Sequence, residues 1–554
     1  MKNEASEQIE SVLIKLCENI TSVLLKSNKE NKEELSAVFK KFIDRRAEGF
    51  AESLQRILFI NQCIWQYGHR LNGLGRLDQI LYPYFKNDMA CGRITKEDAR
   101  KLVRDFLRSL HKYYWFKGDS LSGDTGQIII LGGMDEEGKY LANELSFLFI
   151  EVVQELHLPD PKLVLRASSA MPRELLEKAV KCIESGIGSP LLANDEKIVP
   201  SLIQFGYEKK DSYNYVTSAC WEPLIGGKAF EMNNQRGLNL LIPFNRALKE
   251  NKDKEISLNE LMEAYYRELR KDVERIMDRL KDYIYEEAPL LSLFTERKNA
   301  GDISRGSAKY NNVGITTVGM PNVINSILNV KRLVLEKHTF SLKELEQIRE
   351  DNFKNNGQIA SILKEIPHGF GSDEAYNIQM TNDILSQISD AVHGYEDYLG
   401  RKIKIGLSSP DYIKAGKITE ASLDGRKKGE PLGVHISSTG GQAYTELVSF
   451  ASRLDYTNGK FNGNVLDMMV SPGLINNNFT KFTDFLMLAV RQGFFEMQMN
   501  VVSSKVLIEA KREPEKFPDL IVRVWGFSAY YKELPDTYKD VLIERALRHE
   551  SVYN

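Results

Sequence analysis

The sequence predicts an α/β protein folded as one unit with a small C-terminal element. Three observations carry this. Short apolar runs with strand character alternate with longer runs of helical period. Hydrophobic residues make up 42% of the 554 positions, enough for a large core and against extensive disorder. No repeat, low-complexity stretch or Gly/Ser linker divides the chain, whose length suits several average domains or one large α/β barrel elaborated with helices.

Taken in order, residues 1–60 read as a helical segment. Leu35, Val38, Phe39, Phe42, Phe50, Leu54 and Leu58 recur at three-to-four spacing there. "QIIILGG" (127–133) predicts a short buried strand ending on paired glycines. "ELSFLFIEVVQELHL" (144–158) is apolar on nearly every side, as a buried helix is. "KLVLRAS" (162–168) alternates like a strand, and a helix follows it with Pro172 near its first turn and Gly186 near its end. Residues 248–300 are charge-rich and helical, a solvated outer layer. "FFEMQMNVVSS" (494–504) predicts another strand and "KVLIEAKREPEKF" the helix after it. In "LIVRVWGFSAYY" (520–531) a glycine, Gly526, interrupts the most apolar strand of the C-terminal region. Glycine weakens a strand interior and marks a turn, a bulge or a close backbone approach.

Charge excludes several classes. With 74 basic and 77 acidic residues the net charge is −3, and no basic stripe interleaves with aromatics, so neither nucleic acid nor a membrane surface is an expected partner. "MKNEASEQIESVL" lacks a signal-peptide core and no apolar run reaches spanning length, so a cytoplasmic location is expected. The five cysteines, at 17, 63, 91, 182 and 220, are scattered and none is at CxxC spacing. That pattern argues against a disulfide framework, a zinc site or an iron–sulfur cluster held by this chain. Cys182, on a helix, reads as a small buried hydrophobe.

"SACWEPLIGG" (218–227) places Cys220 two residues before Glu222. On a strand the two share a face, and on a tight loop they converge on one small space. A carboxylate beside a thiol disfavours the thiolate and no histidine is near in sequence, so a cysteine-nucleophile hydrolase is the weaker reading. From these residues alone a buried thiol beside a hydrogen-bonded glutamate is the stronger reading of the stretch.

The chain resembles the glycyl radical enzymes of the pyruvate formate-lyase-like family from about residue 70 to its end. The resemblance is carried, in the family's order, by "GRLDQILYPYF" (75–85), "LGGMDEEGKYLANELSFL" (131–148), "LLANDEKIVPSL" (191–202) and "SACWEP" (218–223). It continues through "GSAKYNNVGITTVGMPNV" (306–323), "SLDGRKKGEPLG" (422–433), "EMQMNVVSS" (496–504) and "PEKFPDLIVRVWGFSAYY" (514–531). It implies a ten-stranded α/β barrel of two antiparallel five-stranded half-barrels surrounded by helices. The implied division is a helical segment over 1–60, the barrel with the cysteine loop over 61–504, and a glycyl radical domain over 505–554.

The resemblance also assigns roles. Gly526 matches the glycine that stores a backbone radical, delocalised between the flanking amide and carbonyl, where a side chain would crowd the geometry. Cys220 matches the thiyl position, at which a neutral thiol is wanted, and Glu222 the base of the Cys-X-Glu pattern in eliminating members. Trp525 and Phe527 stand where the family usually has a small residue and a tyrosine. His435 also stands where a small residue is common, and is a candidate pocket residue or a satisfied core histidine. Ser122 and Asp124, in "SLSGDTG" (120–126), are candidates for touching a polar substrate, although loop capping explains both. The N-terminal segment of a typical member has no counterpart here.

The implied chemistry is a glycyl radical lyase that removes water, amine or sulfite from a small polar molecule. A C–C lyase or decarboxylase, or an inactive partner subunit, is the alternative. Ala219 before Cys220 disfavours pyruvate formate-lyase activity itself, which uses two adjacent cysteines. The implied partner is a separate S-adenosylmethionine/[4Fe-4S] activating enzyme that installs the radical. No metal or cofactor is bound by this chain itself, and a homodimer is left open.

Overall fold

The computed structural model describes residues 4–30, 32–40, 42, 46–69, 72–113, 126–218, 220–396, 399–439 and 441–553. Ser122 and Asp124 lie outside them. Among the described residues the N-terminal region is helical, over Glu4–Lys26, Lys32–Lys40 and Phe50–Gln66. The third helix starts afresh because Gly49 is extended, with φ −150°. The Phe50 amide then donates to Asp88 Oδ2 at 2.7 Å, so a carboxylate from a distant helix caps this end.

Twelve strands follow among the described residues: β1 Ile128–Gly132, β2 Lys162–Ala167, β3 Leu191–Asn194, β4 Tyr215–Thr217, β5 Pro223–Ile225 and β6 Met232–Asn239, then β7 Val313–Val318, β8 Ile403–Gly406, β9 Val465–Val470, β10 Glu496–Val501, β11 Ile521–Arg523 and β12 Ser528–Tyr530. One sheet runs β1-β2-β3-β10-β9. Its pairs are parallel except β3/β10, where Glu496 faces Ala193 and Met497 faces Leu192. Helices Glu144–Leu156, Arg173–Cys182 and Pro472–Gln492 make its crossovers, as parallel strands require. A second, all-parallel sheet runs β6-β7-β8. The α/β expectation is therefore met. The described strands group into sheets of five and three strands plus two hairpins, so the ten-stranded barrel is not seen as one closed sheet among them.

Every residue of β1, β2, β3, β9 and β10 is buried, which explains unbroken apolar runs such as 128–131. The polar positions of β2 do not face water. Arg166 is fully buried and forks onto Asp195, Nε to Oδ1 and Nη2 to Oδ2 at 2.8 Å each. Its guanidinium lies 4.0 Å from the ring centroid of Tyr215, whose hydroxyl donates to Asp195 Oδ1 at 2.8 Å. A paired and hydrogen-bonded buried charge of this kind fixes geometry more than it adds stability. Here it fixes the start of β4, and so the root of the loop that carries Cys220.

The stretch 520–531 is not one strand. It folds back as an antiparallel hairpin, β11 to β12, with Ile521 opposite Tyr530 and Arg523 opposite Ser528. The Val524 amide donates to the Phe527 carbonyl at 3.0 Å, which leaves Trp525 and Gly526 at the tip.

Candidate active site

Two short hairpins meet in the interior. The first joins β4 to β5, with Thr217 opposite Pro223. The Ser218 amide donates to the Glu222 carbonyl at 2.9 Å and closes a loop whose side chains brace one another. The Cys220 amide donates to Ser218 Oγ at 3.2 Å, the Trp221 amide to Glu222 Oε2 at 3.4 Å, and Ser218 Oγ to the same Oε2. Asn234 Nδ2, on β6, donates to Glu222 Oε1 at 2.8 Å. Cys220 and Glu222 are 5% and 1% exposed, so whatever meets them does so away from bulk water. The tight-loop alternative, rather than a shared strand face, is the one realised.

The second hairpin brings Gly526 to this loop. A Cβ placed on Gly526 would lie 2.8 Å from Cys220 Sγ and 2.9 Å from Cys220 Cβ, closer than any side chain tolerates. The φ of Gly526 is not in the left-handed region. Glycine is thus demanded here by contact with the cysteine and not by backbone conformation. Lys162 Nζ, from β2, donates to the Gly526 carbonyl at 3.1 Å.

The radical-motif hairpin is clamped by long-range side chains. Asn500 on β10 accepts the Arg523 amide at 2.6 Å and donates to the Arg523 carbonyl at 2.7 Å. Arg523 Nε donates to Gln498 Oε1 at 3.1 Å, and Gln498 Nε2 to Asp467 Oδ1 at 2.9 Å. Asp467 also pairs with Arg545 from the C-terminal helix. The guanidinium of Arg523 sits 5.2 Å from the ring of Trp221, so the clamp touches the cysteine loop as well.

Two of the three atypical residues, His435 and Trp525, meet each other. His435 stacks on Trp525, with centroids 6.3 Å apart and planes 12° from parallel. His435 Nδ1 shares a 2.7 Å hydrogen bond with Ser408 Oγ, and Nε2 has no partner among the described residues. Burial, then the charges of Arg545 and Arg523, hold the imidazole pKa well below its ordinary value, so the ring is neutral near pH 7. The other cysteines lie elsewhere. Cys182 is buried, Cys91 is exposed, and burial followed by the proximity of Cys17 pushes the Cys63 thiol up to about 11. Among the described residues no cluster of three or more His, Cys, Asp or Glu is placed to hold a metal ion, and no helix is long and apolar enough to cross a membrane.

Sequence reasoning did not single out Lys162, Asn234, Asn500 or Gln498. For Lys162 the available signal was a lysine opening a strand that is otherwise apolar but for Arg166. The two β10 residues occupy alternate positions of an apolar strand, a pattern that marks polar groups turned to a common interior face.

Comparison with known proteins agrees with this geometry. The pyruvate formate lyase-like model matches residues 3–411, and the glycine radical model matches residues 438–532. The match therefore reaches into the N-terminal helices, well before residue 70. The (2S)-3-sulfopropanediol dehydratase of Klebsiella oxytoca is 25% identical over 525 residues, which cover 87% of this chain and 63% of that protein. The glycerol-bound, B12-independent glycerol dehydratase of Clostridium butyricum superposes with a TM-score of 0.87 at 26% identity, over 96% of this chain and 72% of that one. A structure from Roseburia inulinivorans, described for 1,2-propanediol dehydration, gives 0.89 at 25% identity with the same coverage. This chain thus spans less than two thirds of the length of the curated Klebsiella relative. With one family model over most of the sequence and a glycine radical model after it, the chain belongs to the pyruvate formate lyase-like family of glycyl radical enzymes.

Proposed function

We propose that the protein is a glycyl radical lyase that eliminates a β leaving group, most simply water, from a small polar molecule such as a vicinal diol. The observation that carries this is the contact between Gly526 and Cys220, with a carboxylate two residues along. An activating enzyme of the radical S-adenosylmethionine class would remove a hydrogen atom from Gly526. The glycyl radical would take hydrogen from the Cys220 thiol, and the thiyl would take it from a hydroxyl-bearing substrate carbon. Glu222 would accept the hydroxyl proton. The resulting ketyl-like radical would expel hydroxide, protonated to water, and the product radical would recover hydrogen from Cys220. Net, a diol gives a carbonyl compound and water, and the glycyl radical is restored.

Several features support the reading. Ser218 and Asn234 hold the Glu222 carboxylate by one oxygen each, so it can accept a proton without swinging. Lys162 polarises the carbonyl over which a Gly526 radical would spread. The relatives named above act on sulfopropanediol, glycerol and 1,2-propanediol. The finer architecture belongs to the same proposal: a ten-stranded barrel over 61–504, a helical segment over 1–60 and a radical domain over 505–554. His435 borders that site through Trp525, and Ser122 and Asp124 are retained as substrate contacts on their place before β1 in the sequence alone.

Anaerobic activation followed by paramagnetic resonance tests this. A doublet should appear, and air should then cleave the chain at Gly526. Cys220→Ala should keep the doublet and lose turnover of glycerol and propane-1,2-diol. Glu222→Gln should keep it and slow elimination by about 10²- to 10⁴-fold. Full doublet with near-wild-type elimination in Glu222→Gln would remove the base and move the reading to C–C bond chemistry.

A further inference from the structure

Elimination of water needs two proton positions: a base for the substrate hydroxyl that becomes a carbonyl, and an acid for the hydroxyl that leaves. Glu222 supplies only the first. A second carboxyl lies in the same interior. Glu496 opens β10, is wholly buried, and alternates with Gln498 and Asn500, so the three share one strand face. Gln498 and Asn500 grip Arg523 of the radical hairpin, which fixes that face as the one turned to the site. The approach to Glu222 is equally local. The Cβ position of Gly463 is 3.9 Å from Glu222 Cγ, and the next residue, Asn464, donates its amide to Glu496 Oε2 at 3.2 Å.

The other oxygen, Glu496 Oε1, is buried and has no partner among the described residues. Buried polar atoms are nearly always satisfied, so one left open beside a reaction centre is a place for a ligand atom. Burial, then the charge of Glu222, push the Glu496 pKa well above the ordinary carboxylate range against the one amide bond from Asn464. The other ionisable groups electrostatically coupled to it are Tyr215 and Tyr456, both buried and neutral, with Arg523 one residue beyond Gln498. Its burial beside Glu222 thus favours the neutral carboxylic acid, and in that form Glu496 is a donor.

We propose that Glu496 is the general acid of the reaction, delivering its proton to the departing hydroxyl while Glu222 takes the proton of the retained one. The proposal rests on the elimination reading above. The balance closes within the pair. Glu222 gains a proton as Glu496 gives one up, and one proton passing from Glu222 to Glu496 resets both. Two neighbouring buried carboxyls share one proton because both cannot ionise together.

The test compares wild type with Glu496→Gln, which keeps the shape but cannot give up a proton. Infrared spectra of the resting protein at neutral pH should show a protonated-carboxyl stretch that the variant lacks. After activation the variant should give a full doublet, yet dehydrate propane-1,2-diol about 10²-fold or more slowly. With 2-fluoropropan-1-ol, whose fluoride leaves without a proton, the variant should match the wild type. A missing infrared band, or near-wild-type dehydration by a radical-bearing variant, overturns the assignment. The infrared arm needs no turnover, so it stands apart from the reaction class. A wild type with a full doublet that consumes neither propane-1,2-diol nor glycerol counts instead against the elimination reading.

Discussion

The two hairpins that meet at the site are built alike and held differently. Each pairs two three-residue strands and presents its tip to the other. The cysteine hairpin is braced largely from within, by Ser218 and Glu222 bonding to its own amides. The glycine hairpin carries one internal side-chain bond, from Arg523 Nη1 to Ser528 Oγ at 3.3 Å, and is held mainly from outside. Asn500, Gln498 and Lys162, all from the five-stranded sheet, hold it from outside. Local bonds form whenever the loop forms, whereas long-range bonds exist only once the sheet is assembled. The thiol loop is therefore braced mainly by its own residues, and the loop of Gly526 mainly by the assembled sheet.

The strongest way to break this arrangement is at the contact itself. Gly526→Ala puts a methyl 2.8 Å from Cys220 Sγ. It should abolish the doublet and all turnover, and should separate the hairpins at a cost of about 1–3 kcal/mol, as over-packing does. Paramagnetic resonance and thermal melting of the same sample check both.

Removing the outside clamp should be the next largest effect. Asn500→Ala orphans the amide and carbonyl of Arg523, each at about 1–3 kcal/mol. Radical lifetime should shorten together with the melting temperature. Ser218→Ala, in the self-braced loop, should cost about 1 kcal/mol and slow turnover through Glu222 while leaving radical lifetime unchanged. Equal effects of the two variants on radical lifetime would erase the distinction.

Glu496 sharpens the comparison through pH. Its folded pKa is raised, so the folded protein retains a proton that the unfolded chain gives up above about 4.3. The wild type accordingly loses stability relative to Glu496→Gln as pH rises from that value toward the raised folded pKa, by at most about 1.4 kcal/mol per pH unit. Melting curves from pH 4 to pH 8 should show the variant pulling ahead as pH increases. The smallest effect is the aromatic stack: a double-mutant cycle on His435→Ala and Trp525→Ala should return a coupling of about 0.5–1.5 kcal/mol.

Gly526, Cys220 and Glu222 were singled out because the family resemblance matches them to motif positions, and Gly526 and Cys220 also depart from the residue types around them. A glycine in "RVWGF" and a cysteine two residues from a glutamate both stand out from their neighbours. The α/β class was legible from the residues themselves, since strands buried on both faces read as unbroken apolar runs such as 128–131. The glutamate of "FFEMQMNVV" was equally visible as a charge in an apolar strand, but its meaning was not. Nothing in the linear order says that position 496 neighbours position 222.

What the sequence by itself determined is therefore composition at points: which segments must be buried, and which residues, such as Gly526 and Cys220, depart from the runs around them. What only the tertiary structure decided is adjacency. It brought the tip of a C-terminal hairpin against a thiol from the middle of the chain, so that glycine is required by a 2.8 Å approach and not by its φ. It set Lys162 on the Gly526 carbonyl, stacked two of the three atypical residues, His435 and Trp525, and left one oxygen of Glu496 open. The physical reason is that residue type is chosen locally, by size, polarity and backbone freedom. Contacts between residues distant in sequence are fixed only when the sheet closes and excludes water from the space between them.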